Sequence, residues 1–293
     1  MCESTRKTLY VLLTLVMIVA LAAAAAIVAV DLVDMWRGHT VSDQVQKLYR
    51  PGASGGLLSL LIGSASAEEA PPAADEAFIP VQLPDVQEDF ALLYEANPDV
   101  IGWLTAGEEI DLPVVQRDNE FYLSHNFFGE PDNNGTVFLN EMNVFYPRDS
   151  ILLLHGHNMR SGRMFGTLTK YKDADYAHAH PLVTFRTIYD ERTQYYVPVA
   201  GFEASMLRDG QGFFDVVPMN FETEEAFQDY LDRALRRSAW PVPVDVAPTD
   251  ELLMLLTCTY HHLDGRFVLL CRKLREGETP EDMLGLYAAM AGK

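Results

Sequence analysis

The chain has 293 residues, 48% of them hydrophobic and 22% charged, enough for one sizeable core plus appendages. Its formal net charge is -20, which disfavours a binder of nucleic-acid phosphates and suits a soluble surface or the attraction of amine-bearing substrates. Three cysteines, Cys2, Cys258 and Cys271, are too few for a disulfide framework.

Residues Thr8 to Val30 carry no charge and are long enough to cross a bilayer as a helix. Arg6 and Lys7 precede this run, and Asp31 and Asp34 follow it. The asymmetry predicts residues 1–7 as a cytoplasmic tail, 8–30 as a single-pass anchor and everything beyond as extracellular. A cleaved signal peptide is the rival, but its apolar region is usually shorter. Residues 31–77 read as a stalk. Val41 to Tyr49 has the character of a short helix, and the flanking "PGASGG" and "SASAEEAPPAADEA" are linker-like. The apolar patch Leu57 to Ile62 is too short to span a membrane.

A folded domain is predicted over residues 78–293. "DVQEDFALLYEANPDV" has helical spacing and ends at Asn97-Pro98. Eight strand-like runs follow: "VIGWLTA", "LPVVQ", "GTVFLN", "SILLLHG", "HPLVTFRTIYD", "TQYYVPVAGFEA", "ELLMLLTC" and "RFVLLCRKL". That many short strands indicate a mostly β fold, a barrel or a sandwich. A strong helix, Thr223 to Ala239, interrupts them before the last two runs. Phe227, Tyr230, Leu231, Ala234 and Leu235 share one face, with Glu224 and Glu225 at its start and Arg236 and Arg237 at its end. A last helix is predicted from Thr279, with Pro280 in its first turn and Asp282 as the capping partner.

The last two runs form a hairpin that turns near His261 to Gly265, so Cys258 faces Arg266 and Cys271 pairs near Leu253. That register argues against a Cys258–Cys271 bridge. A guanidinium beside a thiol favours the thiolate, which is the nucleophile. A histidine from another strand end would supply a proton to a leaving amine, making a site for acyl transfer. "LLLHGHN" offers two, His155 and His157, on the same side of the chain, and spacing alone does not choose between them. His178 and His180 would share a face if extended, but no third metal ligand accompanies them, so no metal site is predicted. His125 reads as structural, and His261 and His262 as loop residues. Asp264 is close enough in sequence to contact the site, without a role of its own.

"HGHNMRSGRMFGTLTKYKD" resembles the Gly-His-Asn-Met segment of class B sortases, membrane-anchored cysteine transpeptidases of bacterial cell surfaces. "LLTCTY" followed by "GRFVLLCRKL" resembles their Thr-Cys motif and the Arg strand after it, and "NPDVIGWLTAGEEIDLPVVQRDNEFYLSHNFFGEPDNNGTVFLN" is similar to their early region. The likeness covers residues 86–274. It implies an eight-stranded sortase-type β-barrel with N-terminal helices, a helix before the Cys strand and a C-terminal helix, behind a single transmembrane helix. It implies Cys258 as nucleophile, His157 as acid/base and Arg266 as substrate and oxyanion clamp, with Thr257 and Asn158 as substrate-contacting neighbours. The family often has Ser where Leu256 stands, and commonly an aromatic where His155 stands.

The implied reaction cleaves a C-terminal sorting motif of secreted proteins through a thioester at Cys258. The acyl group then passes to a peptidoglycan-precursor amine, anchoring the protein to the cell wall, or to a pilin Lys. No cofactor is required, and calcium dependence does not carry over to class B. A membrane-tethered cysteine protease is an alternative, although His before Cys is not the papain order. A tethered binding module with a dead site is disfavoured because all three catalytic positions are filled.

Overall fold

The computed structural model describes residues 3–49, 51, 83–208, 212–259 and 264–290. Leu57 to Ile62, His261 and His262 lie outside them. The chain opens with one helix, α1 (Glu3–Leu48), 46 residues long. The window Leu12–Ala29 within it is long and apolar enough to cross a membrane, and none of it is buried. The segment predicted as a separate short helix is the last part of α1. Residues 31–48 contain no proline, and Gly38 is their only glycine, so the helix has no reason to stop. Val45 is 1% exposed, and Tyr49 stacks on Trp103 at 4.3 Å between ring centroids. The helix end thus packs against the domain with Phe90 and Leu93, which sit in a short 3-10 turn (Glu88–Phe90) and α2 (Ala91–Ala96).

The strands are β1 (Val100–Ala106), β2 (Ile110–Val115), β3 (Val137–Leu139), β4 (Ile151–His155), β5 (Val183–Thr187), β6 (Gln194–Ser205), β7 (Leu252–Cys258) and β8 (Gly265–Lys273). They form a closed barrel in the order β1-β2-β3-β4-β7-β8-β6-β5. Pairing is antiparallel except at β2–β3 and β4–β7, which are parallel. All eight overlap the predicted runs; β2 starts two residues earlier than expected, β8 one residue earlier, and β6 runs one residue further.

β4, β7 and β8 read as unbroken apolar runs because both of their faces are covered. Leu152, Leu154, Leu253, Leu255, Phe267 and Leu269 point into the barrel. Ile151, Leu153, Leu252, Met254, Val268 and Leu270 point outward, beneath α4 (Glu224–Leu235) and α5 (Pro280–Ala288). α4 lies between β6 and β7 as predicted and buries Phe227, Tyr230, Leu231 and Ala234. The Thr223 hydroxyl caps it by accepting from the Ala226 N–H, while Arg236 and Arg237 lie just past its end. α5 begins with the expected capping box, Thr279 and Asp282, and Pro280 in its first turn. It is pinned by the Tyr287 hydroxyl, which donates to the Pro198 carbonyl at 2.6 Å.

His178 and His180 are not on a strand. His178 lies in α3 (Ala174–Ala179) and His180 ends it, just before Pro181. His178 is buried with its Nε2 3.2 Å from the Pro241 carbonyl, and the His180 Nδ1 lies 3.0 Å from the Tyr176 carbonyl. Among the described residues no cluster of three or more His, Cys, Asp or Glu could hold a metal ion.

Candidate active site

β4, β7 and β8 are neighbours in the barrel, and the chemistry-bearing residues stand where the three end together. Cys258 is the last residue of β7 and pairs directly with Arg266 on β8, the register predicted from the sequence. Leu253 pairs with Cys271, and both Cys258 and Cys271 are free thiols. Cys258 is exposed, whereas Cys271 is fully buried and its thiol is pushed well above the usual range by burial.

His155 pairs with Leu256 across β4–β7, so His157, two residues on, comes level with Cys258. Three bonds continue the ladder past the strand end. The Gly156 N–H donates to the Leu256 carbonyl at 3.2 Å. The Thr257 hydroxyl donates to the Gly156 carbonyl at 2.7 Å, and the Asn158 Nδ2 to the Cys258 carbonyl at 2.8 Å. Thr257 is 2% exposed, so its hydroxyl joins β7 to the end of β4 and it meets the cleft only as part of the wall. Asn158 faces a second cleft of about 270 Å3 shared with Met159 and Thr259.

The His157 ring is oriented by a group that sequence reasoning missed. Its Nε2 lies 2.7 Å from the Leu123 carbonyl. A carbonyl only accepts, so Nε2 carries a proton and Nδ1 is the nitrogen left for proton exchange. Leu123 sits in a 3-10 turn (Phe121–Leu123) that is itself well tied. The Phe121 N–H donates to Asp118 Oδ1 at 2.6 Å, and the buried Tyr122 hydroxyl donates to Asp99 Oδ2 at 2.8 Å. Arg117 lies over the Phe121 ring, and His125 stacks on the ring at 4.0 Å with its Nδ1 2.8 Å from the Phe121 carbonyl.

Two glycines make the approach possible. A Cβ on Gly156 would lie 2.7 Å from the Phe165 ring. Gly135 has φ +62°, and a Cβ there would lie 2.5 Å from the Tyr122 carbonyl and 3.1 Å from His157 Cδ2. Both are close-approach positions that favour glycine.

Cys258, His157 and Arg266 line one cleft of about 240 Å3, together with Leu123, Phe138, His155 and Leu256. His155 stacks on Phe138, and its Nε2 lies 3.0 Å from the Asn140 Nδ2. Burial, and to a lesser degree the nearby Arg266 charge, pushes its pKa down to about 4. It is therefore a neutral imidazole at ordinary pH, unsuited to delivering a proton there. Asp264 has φ +59° and accepts the Met206 N–H with its carbonyl at 3.2 Å. A thiol, an imidazole with one free nitrogen and a guanidinium on one cleft form an arrangement for acyl transfer.

No protein-family model matches the chain. Sortase B of Listeria monocytogenes serovar 1/2a is 32% identical over 177 residues, 59% of this chain and 68% of that protein. The crystal structure of Clostridium perfringens sortase B matches with a TM-score of 0.57 at 27% identity, covering 62% of this chain and 98% of that one. The Bacillus anthracis sortase B structure in complex with AAEK1 shares the fold, with a TM-score of 0.65 at 20% identity over 84% of this chain and 100% of that one. With its barrel order, its inserted α4 and this degree of likeness, the chain belongs to the class B sortases and is a cysteine transpeptidase.

Proposed function

We propose that Cys258, His157 and Arg266 carry out a two-step acyl transfer on a C-terminal sorting motif of secreted proteins. The observation that carries this reading is the Cys258–Arg266 pair at the end of β7–β8, with His157 level with it just past the end of β4. The Cys258 thiol passes its proton to His157 Nδ1, the resulting thiolate attacks the peptide carbonyl carbon, and the tetrahedral oxyanion is held by Arg266. The C–N bond then breaks, His157 Nδ1 gives its proton to the leaving amine, and a thioester remains on Cys258. An acceptor amine attacks that thioester and gives its proton to His157. The amide forms, and the Cys258 sulfur leaves as the original nucleophile. Arg266 also orients the donor peptide, with Thr257 contacting substrate from the wall of this cleft and Asn158 from the neighbouring cleft. No cofactor enters any step.

The acceptor we favour is an amine of a peptidoglycan precursor, which makes the product a protein anchored to the cell wall. Residues 1–7 are taken as a cytoplasmic tail, 8–30 as the membrane anchor, 31–77 as the extracellular connection and 78–293 as the catalytic domain. The uncharged helix Leu12–Ala29 and the preceding Arg6 and Lys7 support that orientation.

The test incubates the protein with a panel of sorting-motif peptides and several amines and follows the products by mass. A Cys258-linked acyl-enzyme and amine-dependent ligation are expected, and both vanish in Cys258→Ala. Ligation that survives in Cys258→Ala sinks the mechanism. Hydrolysis alone, whichever amine is offered, makes the protein a protease. In the same assay His157→Ala loses ligation by at least about 1000-fold, while His155→Ala retains most of the turnover.

A further inference from the structure

The mechanism leaves His155, on the cleft floor, without a task. Phe138, His155, Leu256 and Val268 are successive cross-strand partners on β3, β4, β7 and β8. They form the row beneath the thiol, about 7 Å down the strands from Cys258. His155 is the polar member of this otherwise apolar row.

Its hydrogen-bonding state is fixed from below. Asn140 is 7% exposed, and its Oδ1 accepts the Met142 N–H at 3.0 Å, so its carboxamide has one orientation. Nδ2 is then the atom 3.0 Å from His155 Nε2. A carboxamide nitrogen only donates, so Nε2 accepts and the proton of the neutral ring sits on Nδ1. Stacking on Phe138, with rings 5.0 Å apart and 19° from parallel, holds the ring plane. Nδ1 has no protein partner among the described residues and is not among the buried unpaired atoms, and the ring lines the cleft. An oriented N–H donor therefore faces the space beside the thiol.

We propose that His155 is a specificity-determining residue whose Nδ1–H donates to a side-chain carboxamide or hydroxyl oxygen of the acyl-donor peptide lying between Phe138 and Leu256. A neutral oxygen fits the site better than a carboxylate. The flanking walls are apolar, and the net charge of -20 opposes an anionic peptide. An apolar side chain would leave the N–H unpaired when the peptide excludes water, which is where the discrimination arises. His155 acts on binding of the donor, since its Nε2 is occupied and its ring stays neutral through the physiological range. The inference rests on the reading that this cleft takes the sorting motif.

The test uses the full chain in detergent micelles with a fixed amine acceptor. Each donor-peptide position in turn carries Gln, its near-isostere Met, or Glu, and turnover is followed by mass. At one position the wild type is expected to favour Gln over Met by about tenfold in kcat/KM, the worth of one well-made neutral hydrogen bond. His155→Phe should bring that ratio below about twofold, through KM, with kcat kept within about threefold. Asn140→Leu, which frees the ring without removing it, should lower the ratio part of the way. His155→Gln, which keeps a donor, should hold it above that of the Phe variant. A Gln-to-Met ratio unchanged in both His155→Phe and Asn140→Leu overturns the proposal, as does a wild type that ranks Glu above Gln. A wild type that forms no acyl-enzyme at Cys258 with any peptide overturns the acyl-transfer reading itself, a result distinct from turnover without the Gln preference.

Discussion

Gly135 carries more of the site than its size suggests. Its left-handed backbone and the 2.5 Å from a built Cβ to the Tyr122 carbonyl leave no room for a side chain, and His157 is the next neighbour at 3.1 Å. Gly135→Ala is expected to cost about 1–3 kcal/mol of stability and to lower kcat, because the turn that holds the Leu123 carbonyl against His157 must shift. Chemical denaturation together with the ligation assay checks both. His155 gives a pH signature. Its folded pKa is lowered from 6.5 to about 4, so the unfolded chain binds the proton more readily. Stability is therefore lost as pH falls from about 6.5 towards 4 and levels off below that. Arg266 is the charged group beside it. His155→Phe should flatten that part of the curve, seen as a smaller spread of urea midpoints between pH 7 and pH 4 than in the wild type. Cys258 opposite Arg266 was readable in the sequence because a hairpin register needs only a turn and an alternation. The Leu123 carbonyl and Asn140 were not. They reach the two histidines across 34 and 15 residues, and nothing local in either stretch marks the contact.

The strands were legible as elements because each is a short, mostly apolar run between turn residues, and α4 because its apolar face repeats at helical spacing. Two placements differed from expectation for physical reasons. "YAHAH" reads equally well as alternating strand or short helix, and the Asp173 side chain decides for helix by accepting the Tyr176 N–H at 3.0 Å. The end of α1 looked like a free connector because its apolar positions are sparse. Their partner surface, Trp103 on the outside of β1 and Phe90 beside it, exists only once the domain has folded. Val45→Asp would place a charge in that buried contact. Amide exchange over Val41 to Leu48 should then speed up by at least about tenfold, while the protection of β7 and β8 stays as it was. At the other side of the domain, Thr223→Ala should remove the α4 cap at about 1 kcal/mol, visible as a small drop in thermal midpoint.

On the scale of the whole molecule, the barrel brings three strand ends from distant parts of the sequence to one rim, and parallel pairing of β4 with β7 is the join that matters. Without it His157 and Cys258, 101 residues apart in the sequence, would have no common neighbour. The docked end of α1 has a consequence for how far the enzyme can reach. With Leu12–Ala29 in a bilayer, nine residues of uninterrupted helix lead from Ala29 to Gly38, which is already buried against Arg163 and Asn134 of the domain, about 14 Å at 1.5 Å per residue. In that placement, a donor peptide of the proposed kind would meet a domain carried on a rigid arm, at one height above the lipid.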